Sequence, residues 1–312
     1  MTELREDEPP PRAERLAVAL QYVLPKQALT LCMGLLARAE GGAATTAVIR
    51  WFIQRYGVNM MEAVQHDPGA YRSFNEFFTR PLAQGARWIE RDADLVCPVD
   101  GAISRFGAIE GDQIFQAKGH RYSTTALLGG DTALAAHFQG GHFATLYLSP
   151  RDYHRIHMPR AGRLLRMVHV PGALFSVNPA TARGVPGLFA RNERVVCLFD
   201  GAGTEAGTEA RTEAGTEAGG VAGPWALVLV GATIVGSMAT VWHGVVNPPR
   251  PGRLREWSYA ERDITLEQGD EMGRFLLGST VVLLFPRGPL TWKAGWRPGG
   301  AIRMGEHMAD RR

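Results

Sequence analysis

The sequence predicts an α+β protein, with an N-terminal helical region followed by a mainly antiparallel β domain. Three observations carry this. Residues from Leu16 to about Val64 follow a helical pattern. From Leu95 onward, short apolar or alternating runs are broken by Gly, Pro and Asp at intervals of roughly 8–15 residues. Few helical stretches separate those runs, so an alternating βαβ array is disfavoured.

The chain has 312 residues, room for two domains or for one large domain with an appendage. Hydrophobic residues make up 45% and charged residues 21%, an ordinary balance for a folded protein. A net charge of +3 does not mark a nucleic-acid binder, and none is expected as a partner. The three cysteines, Cys32, Cys97 and Cys197, are odd in number, widely spaced and without a CxxC pair. That argues against a disulfide framework or a zinc site and favours a reducing compartment. The first 16 residues are charged and Pro-rich, unlike a signal peptide, and no run of 18 apolar residues occurs.

In chain order, residues 1–15 read as a disordered arm and 16–65 as a helical region. The apolar run Ala28–Ala37 is too short to span a bilayer. A helix is expected over Ala43–Tyr56, with Val48, Trp51 and Phe52 interleaved with Arg50 and Arg55. Such helices either pack on the rest of the protein or lie in a membrane interface, aromatics buried and arginines at the headgroups. Residues 66–312 form the second region, with strands expected at Ala144–Leu148, Val195–Phe199, Ala226–Val230 and Thr280–Phe285. The repeat GTEA-GTEA-RTEA-GTEA (203–218) reads as a flexible acidic loop, 201–223, inserted between two strands.

Three segments concentrate reactive groups. In Cys97–Gly101, Asp100 occupies a Pro-x-Asp-Gly turn, where aspartate is also favoured for purely structural reasons. The segment Tyr147–Pro159 packs Arg151, Asp152, Tyr153, His154, Arg155 and His157 behind an apolar strand. Histidine beside a carboxylate is the usual general acid–base unit, whereas no further ligands complete a metal site. In Met272–Phe285, Gly278-Ser279-Thr280 opens a strongly apolar strand. Ser279 would need a base to act as a nucleophile, and nothing here forms a GxSxG elbow.

The chain resembles the bacterial-type phosphatidylserine decarboxylases. The resemblance rests on eight ordered segments: Tyr71–Pro81 (YRSFNEFFTRP), Pro98–Gly101 (PVDG), Ala117–Ser123 (AKGHRYS), Tyr147–Pro159 (YLSPRDYHRIHMP), Pro171–Asn178 (PGALFSVN), Leu188–Arg194 (LFARNER), Val230–Ser237 (VGATIVGS) and Gly273–Thr280 (GRFLLGST). Val99 stands where Ala is more usual, and the GTEA repeat is an insertion.

The resemblance implies a precursor that cleaves itself between Gly278 and Ser279. Ser279 Oγ attacks the Gly278 carbonyl to give an ester. Elimination and hydrolysis then release ammonia and leave a pyruvoyl group derived from Ser279. The products are a β chain, 1–278, and an α chain, 279–312. His157 is expected to take the serine proton, with Asp100 holding its imidazole in the right tautomer. In turnover, the implied chemistry is a Schiff base between pyruvoyl and phosphatidylserine, loss of CO₂, and release of phosphatidylethanolamine. His154 is the candidate to handle the substrate carboxylate or reprotonate the carbon. No metal is expected. A lipid substrate favours the interfacial reading of residues 16–65, peripheral to an anionic membrane on its cytoplasmic face, and the family implies a homodimer. Rival readings are a serine hydrolase using Asp100, His157 and Ser279, a non-enzymatic lipid-binding module, and a metal enzyme using His154 and His157.

Overall fold

The computed structural model describes residues 11–201, 223–234, 237–276 and 280–311. Three helices open it: α1 (Arg12–Val23), α2 (Lys26–Arg38) and α3 (Ala43–Tyr56). Helix α1 begins at Arg12, inside the stretch expected to be a disordered arm. Pro11 is tolerated at the helix start because no intrahelical N–H bond is needed there. Glu14 in the first turn suits the helix dipole and pairs with Arg183 at 2.8 Å. Pro25 cannot continue the hydrogen-bond ladder, and α1 and α2 meet at 89°. No single described helix is long and apolar enough to cross a membrane. Helix α3 keeps its expected bounds and ends at Gly57, whose left-handed φ of 68° suits glycine.

A short helix, α4 (Phe74–Phe78), follows, capped by Ser73 Oγ accepting the Glu76 N–H at 3.2 Å. Phe52 of α3 meets Phe74, Phe77 and Phe78 of α4 at ring-centroid distances of 5.0, 5.9 and 6.1 Å. This small aromatic core is separate from those of the sheets. The other helices are short: α5 (Thr124–Leu127), α6 (Thr132–Ala136), α7 (Pro179–Gly184) and α8 (Leu188–Arg191).

The strands run β1 (Leu95–Val96), β2 (Gly101–Ala108), β3 (Gln113–Ala117), β4 (His120–Ser123), β5 (His142–Tyr147), β6 (Arg155–His157), β7 (Gly162–Val170), β8 (Arg194–Gly201) and β9 (Trp225–Val230). They continue with β10 (Met238–Thr240), β11 (Gly244–Asn247), β12 (Arg255–Ser258), β13 (Thr265–Leu266), β14 (Glu271–Phe275), β15 (Thr280–Phe285), β16 (Thr291–Trp292), β17 (Ala301–Ile302) and β18 (His307–Asp310). The main sheet has nine strands, ordered β12-β7-β8-β9-β15-β5-β2-β17 with β13 also on β7. A four-stranded sheet runs β11-β10-β14-β6. Both are antiparallel, as expected. All four expected strands form. The expected 201–223 loop falls, beyond Gly201 and Gly223, outside the described residues.

Strand β15 lies between β9 and β5, with Leu283 opposite Leu227 and Ala144. Val281 and Leu283 enter one core, shared with Met238, Met272 and Phe275 of the smaller sheet. Val282 and Leu284 enter a second core under the short helices, with Leu127 and Phe189. Both faces of the sheet are therefore covered, which is why the strand reads as an unbroken apolar run rather than an alternating one.

Candidate active site

The two sheets are joined by the passage from β14 to β15. Leu277, Gly278 and Ser279 in that passage lie outside the described residues. The residues on either side are firmly held. Phe275 N–H donates to the His154 carbonyl at 3.1 Å, and Leu276 N–H to the Ser237 carbonyl at 3.0 Å. Thr280 is fully buried, opposite Tyr147 on one side and Val230 on the other. The reactive segment 149–157 therefore runs directly beside the end of β14, and β6 within it pairs with β14.

The segment leaves β5 through a turn in which the Ser149 N–H donates to Asp152 Oδ2 at 2.6 Å. Burial raises the Asp152 carboxyl, against the opposing bonds from Ser149. His154 follows. It is completely buried, and its ring stacks on Phe78 of α4 at 4.0 Å. Neither ring nitrogen has a hydrogen-bond partner among the described residues. Burial, reinforced by the Arg80 charge, pushes its pKa down to about 3. The peptide groups of Pro150 and Ser149 oppose that shift without reaching hydrogen-bond geometry. His154 is thus a neutral imidazole with unspent hydrogen-bonding capacity.

His157 is engaged at both nitrogens. Nδ1 lies 2.7 Å from the Gly269 carbonyl, which can only accept, so Nδ1 carries the proton. Nε2 then presents its lone pair to the Tyr153 hydroxyl at 3.0 Å. Burial lowers the pKa of His157, with the Gly269 bond and the nearby Glu271 charge opposing it. Its backbone N–H donates to the Pro98 carbonyl at 2.8 Å, which brings the Pro-x-Asp-Gly turn alongside.

Asp100 does not make the expected contact with the imidazole. Its Oδ1 accepts from Arg87 Nε at 2.9 Å and from the Met304 N–H at 2.9 Å, and its Oδ2 accepts from Arg87 Nη2. Arg87 Nη2 also reaches Glu62 at 2.8 Å. The role expected of Asp100, fixing the His157 tautomer, is filled by Gly269. Asp100 is close enough for its charge to favour protonated His157. Gly101 is obligatory after it, because a Cβ there would fall 2.2 Å from the Tyr147 carbonyl oxygen.

Two features of the candidate site were not legible in the sequence. Tyr153 caps the lone pair of His157; its place in the dense 147–159 segment was the available signal. Arg80, from the YRSFNEFFTRP segment, is 3% exposed and lies over the Phe77 ring at 5.3 Å. Its Nη2 donates to the Arg151 carbonyl at 3.3 Å, while Nε and Nη1 have no partner among the described residues. Burial lowers its pKa, and the neighbouring Tyr71, Asp100, Glu62 and Asp152 oppose this. A charged motif predicts an exposed residue, and only the packing of α4 against the sheet buries this one. Among the described residues no group of three or more His, Cys, Asp or Glu could hold a metal ion.

A family model described as phosphatidylserine decarboxylase matches residues 74–310, and one described as PSD matches residues 16–57. The chain is 68% identical over 298 residues to the phosphatidylserine decarboxylase proenzyme of Azoarcus sp. (strain BH72), covering 96% of each chain. It is 65% identical over 297 residues to that of Methylibium petroleiphilum (strain ATCC BAA-1232 / LMG 22953 / PM1), covering 95% of this chain and 98% of the relative. With the proenzyme of Dechloromonas aromatica (strain RCB) it shares 63% identity over 298 residues, covering 96% and 99%.

Proposed function

The chain belongs to the phosphatidylserine decarboxylase family, and from that premise we propose that it converts phosphatidylserine to phosphatidylethanolamine and CO₂ after cleaving itself between Gly278 and Ser279. The observation that carries the chemistry is His154: a neutral, enclosed, unpartnered imidazole bonded through its own carbonyl to the end of β14.

The division of labour follows from the two histidines. His157 Nε2 holds the lone pair, so it is the atom that accepts the Ser279 proton during self-cleavage, displacing the Tyr153 hydroxyl as it does so. Asp100, fixed by Arg87 and Met304, supplies a stationary negative charge that favours the imidazolium formed in that step. A pyruvoyl group at residue 279 would supply the electron sink that carries the pair left behind when CO₂ departs. The surroundings fit such a group. Thr280 Oγ1, His154 and Arg80 all present buried polar atoms without partners among the described residues at the sheet junction. His154, apolar on its Phe78 side, excludes water and holds a nitrogen free to manage the proton that replaces the carboxylate.

The N-terminal helices supply the route to a lipid. Leu16, Leu20 and Val23 of α1 and Leu35 and Leu36 of α2 are all exposed, and we read this face as seated in the interface of an anionic bilayer, peripherally and on its cytoplasmic side.

The test is the intact mass of the purified protein under denaturing conditions. The expected result is two chains, 1–278 and 279–312, the smaller one lighter by an ammonia than simple hydrolysis predicts. Ser279→Ala should remain a single chain, whereas His154→Ala should split normally but turn over poorly. A wild-type chain of full length that a serine-directed phosphonate labels would replace this reading with a serine hydrolase.

A further inference from the structure

Leu276 forms one wall of a surface cleft that is partly open to solvent. The facing wall is α2, whose Thr30, Gly34 and Arg38 fall on one stripe at four-residue spacing. Between them lie Asn75 of α4 and Arg250. The cleft therefore joins three parts of the molecule: the apolar N-terminal helices, the α4 segment that carries Phe78 and Arg80, and the end of β14.

Its polar groups are arranged unusually. Arg250 Nε donates to Glu193 at 2.8 Å, and Glu193 also takes a hydrogen bond from His169 at 2.8 Å. These bonds hold the Glu193 carboxyl below the usual range despite its burial, so it offsets the Arg250 charge. Arg250 Nη2 is nonetheless buried with no partner. Asn75 Oδ1 is likewise buried and unpartnered, and an amide can present either its oxygen or its nitrogen to a ligand. Arg38 makes no ion pair among the described residues. A Cβ at Gly34 would lie 3.8 Å from Arg38 Nη2, so the guanidinium folds back along the helix over Gly34. Glycine is a poor helix former, and here it leaves the stripe open beside the cation. The cleft thus holds one uncompensated positive charge and two unspent polar groups. Leu31 and Ile234 beside them are apolar, and both are themselves exposed at the surface.

We propose that this cleft seats the phosphodiester of a glycerophospholipid, held between Arg38 and Arg250. This rests on the decarboxylase reading only in identifying the lipid as phosphatidylserine. A phosphodiester carries a single negative charge, matching the single uncompensated cation, and its oxygens accept the unspent Arg250 Nη2–H. The amino-acid headgroup then points toward Leu276, and the glycerol and acyl chains lie along the exposed apolar side of α2.

The experiment has a readout that does not need catalysis. Binding of dihexanoylphosphatidylcholine, a phosphodiester with no serine to react, is measured by calorimetry on the purified wild-type protein below the lipid's micelle concentration. Arg38→Gln and Arg250→Gln should each weaken binding roughly ten-fold, the usual effect of losing a hydrogen bond to a charged group, and Arg250→Lys should recover part of the loss. On dihexanoylphosphatidylserine the same variants should raise KM by a similar factor with kcat within about two-fold. Arg38 is exposed, so its variant keeps the test valid if Arg250→Gln fails to fold. Equal lipid binding by wild type and Arg38→Gln overturns the subsite even if the wild type releases CO₂. Inorganic phosphate competing as strongly as the lipid also overturns it, since the site would then be a simple anion site. Weakened binding in the variants, with no CO₂ released by the wild type, upholds the subsite and sinks the decarboxylase reading instead.

Discussion

Helix α1 and strand β15 are both rich in apolar residues, yet the fold uses them in opposite ways. Every residue of β15 is buried, on both faces of the sheet. No residue of α1 is buried, and Leu16 and Val23 are 72% and 81% exposed. Helix α1 is nevertheless not loose. Gln21 bonds to Thr181 at 3.0 Å and to the Ser176 N–H at 2.8 Å, and Glu14 pairs with Arg183. Gln21, Glu14 and Val18 thus face the protein, Val18 packing on the second core, while Leu16, Leu20 and Val23 face outward and are left uncovered. The lesson is that hydrophobicity in a sequence does not say what it is for. In β15 it stabilises the fold, and in α1 and α2 it remains available to a partner.

That contrast can be broken at several points. Leu283→Ala, at the centre of the main sheet, should lose about 4 kcal/mol, the transfer of the side chain plus the cavity it leaves. Urea unfolding measures it, and a loss below about 1 kcal/mol would mean that the centre of the sheet collapses around the gap. Next is the buried junction that holds Asp100. Arg87→Leu strands Asp100 without its cation, and a loss of about 3 kcal/mol is expected, at the low end for buried pairs because Glu62 is partly exposed. Full stability in that variant would show that the Met304 N–H alone suffices to hold the carboxylate.

Acid should act more gently and in a defined direction. His154 and His157 both have pKa values lowered by burial, His154 to about 3. The unfolded chain therefore takes up their protons first as the pH falls. Their contribution is complete above the unfolded value of about 6.5 and is lost progressively below it, at up to about 1.4 kcal/mol per pH unit for each histidine. Comparing the pH dependence of unfolding in wild type and His154→Phe isolates one of them. If the two profiles are parallel from pH 7 to pH 5, the imidazole is not held neutral.

The smallest effect on stability, and the sharpest test of the comparison, comes from the outer face. Replacing Leu16, Leu20, Leu35 and Leu36 by Gln should change the unfolding free energy by no more than about 0.5 kcal/mol per site, as at other exposed positions. The same variant should lose sedimentation with vesicles containing anionic phospholipid. Retained vesicle binding would assign the lipid contact to another surface.

Much of this was readable in advance. The four apolar runs named from the sequence are strands because a run of β-branched and leucine residues between Gly, Pro and Asp has few other stable conformations. Helix α3 ends at Tyr56 as expected because Gly57 terminates it. The ordered motifs brought Asp100, His154 and His157 to one sheet junction. The start of α1 was misjudged because a charged, Pro-rich stretch looks disordered until Arg183 arrives from elsewhere to pair with Glu14.

The hydrogen-bond partners were not readable. Gly269 holds the His157 tautomer from 112 residues away, and Arg87 takes the Asp100 carboxylate that was expected to do so. Phe78 stacks on His154 across 76 positions of sequence, and Arg38 and Arg250 share one cleft from opposite ends of the chain. The sequence by itself determined the periodicity, the glycine at 101 and which candidate residues cluster in short segments. These depend on local backbone geometry and on which side chains avoid water. Only the tertiary structure decided which group each reactive residue touches, because a hydrogen bond is set to within tenths of an ångström by how distant segments pack, and no local pattern carries that information.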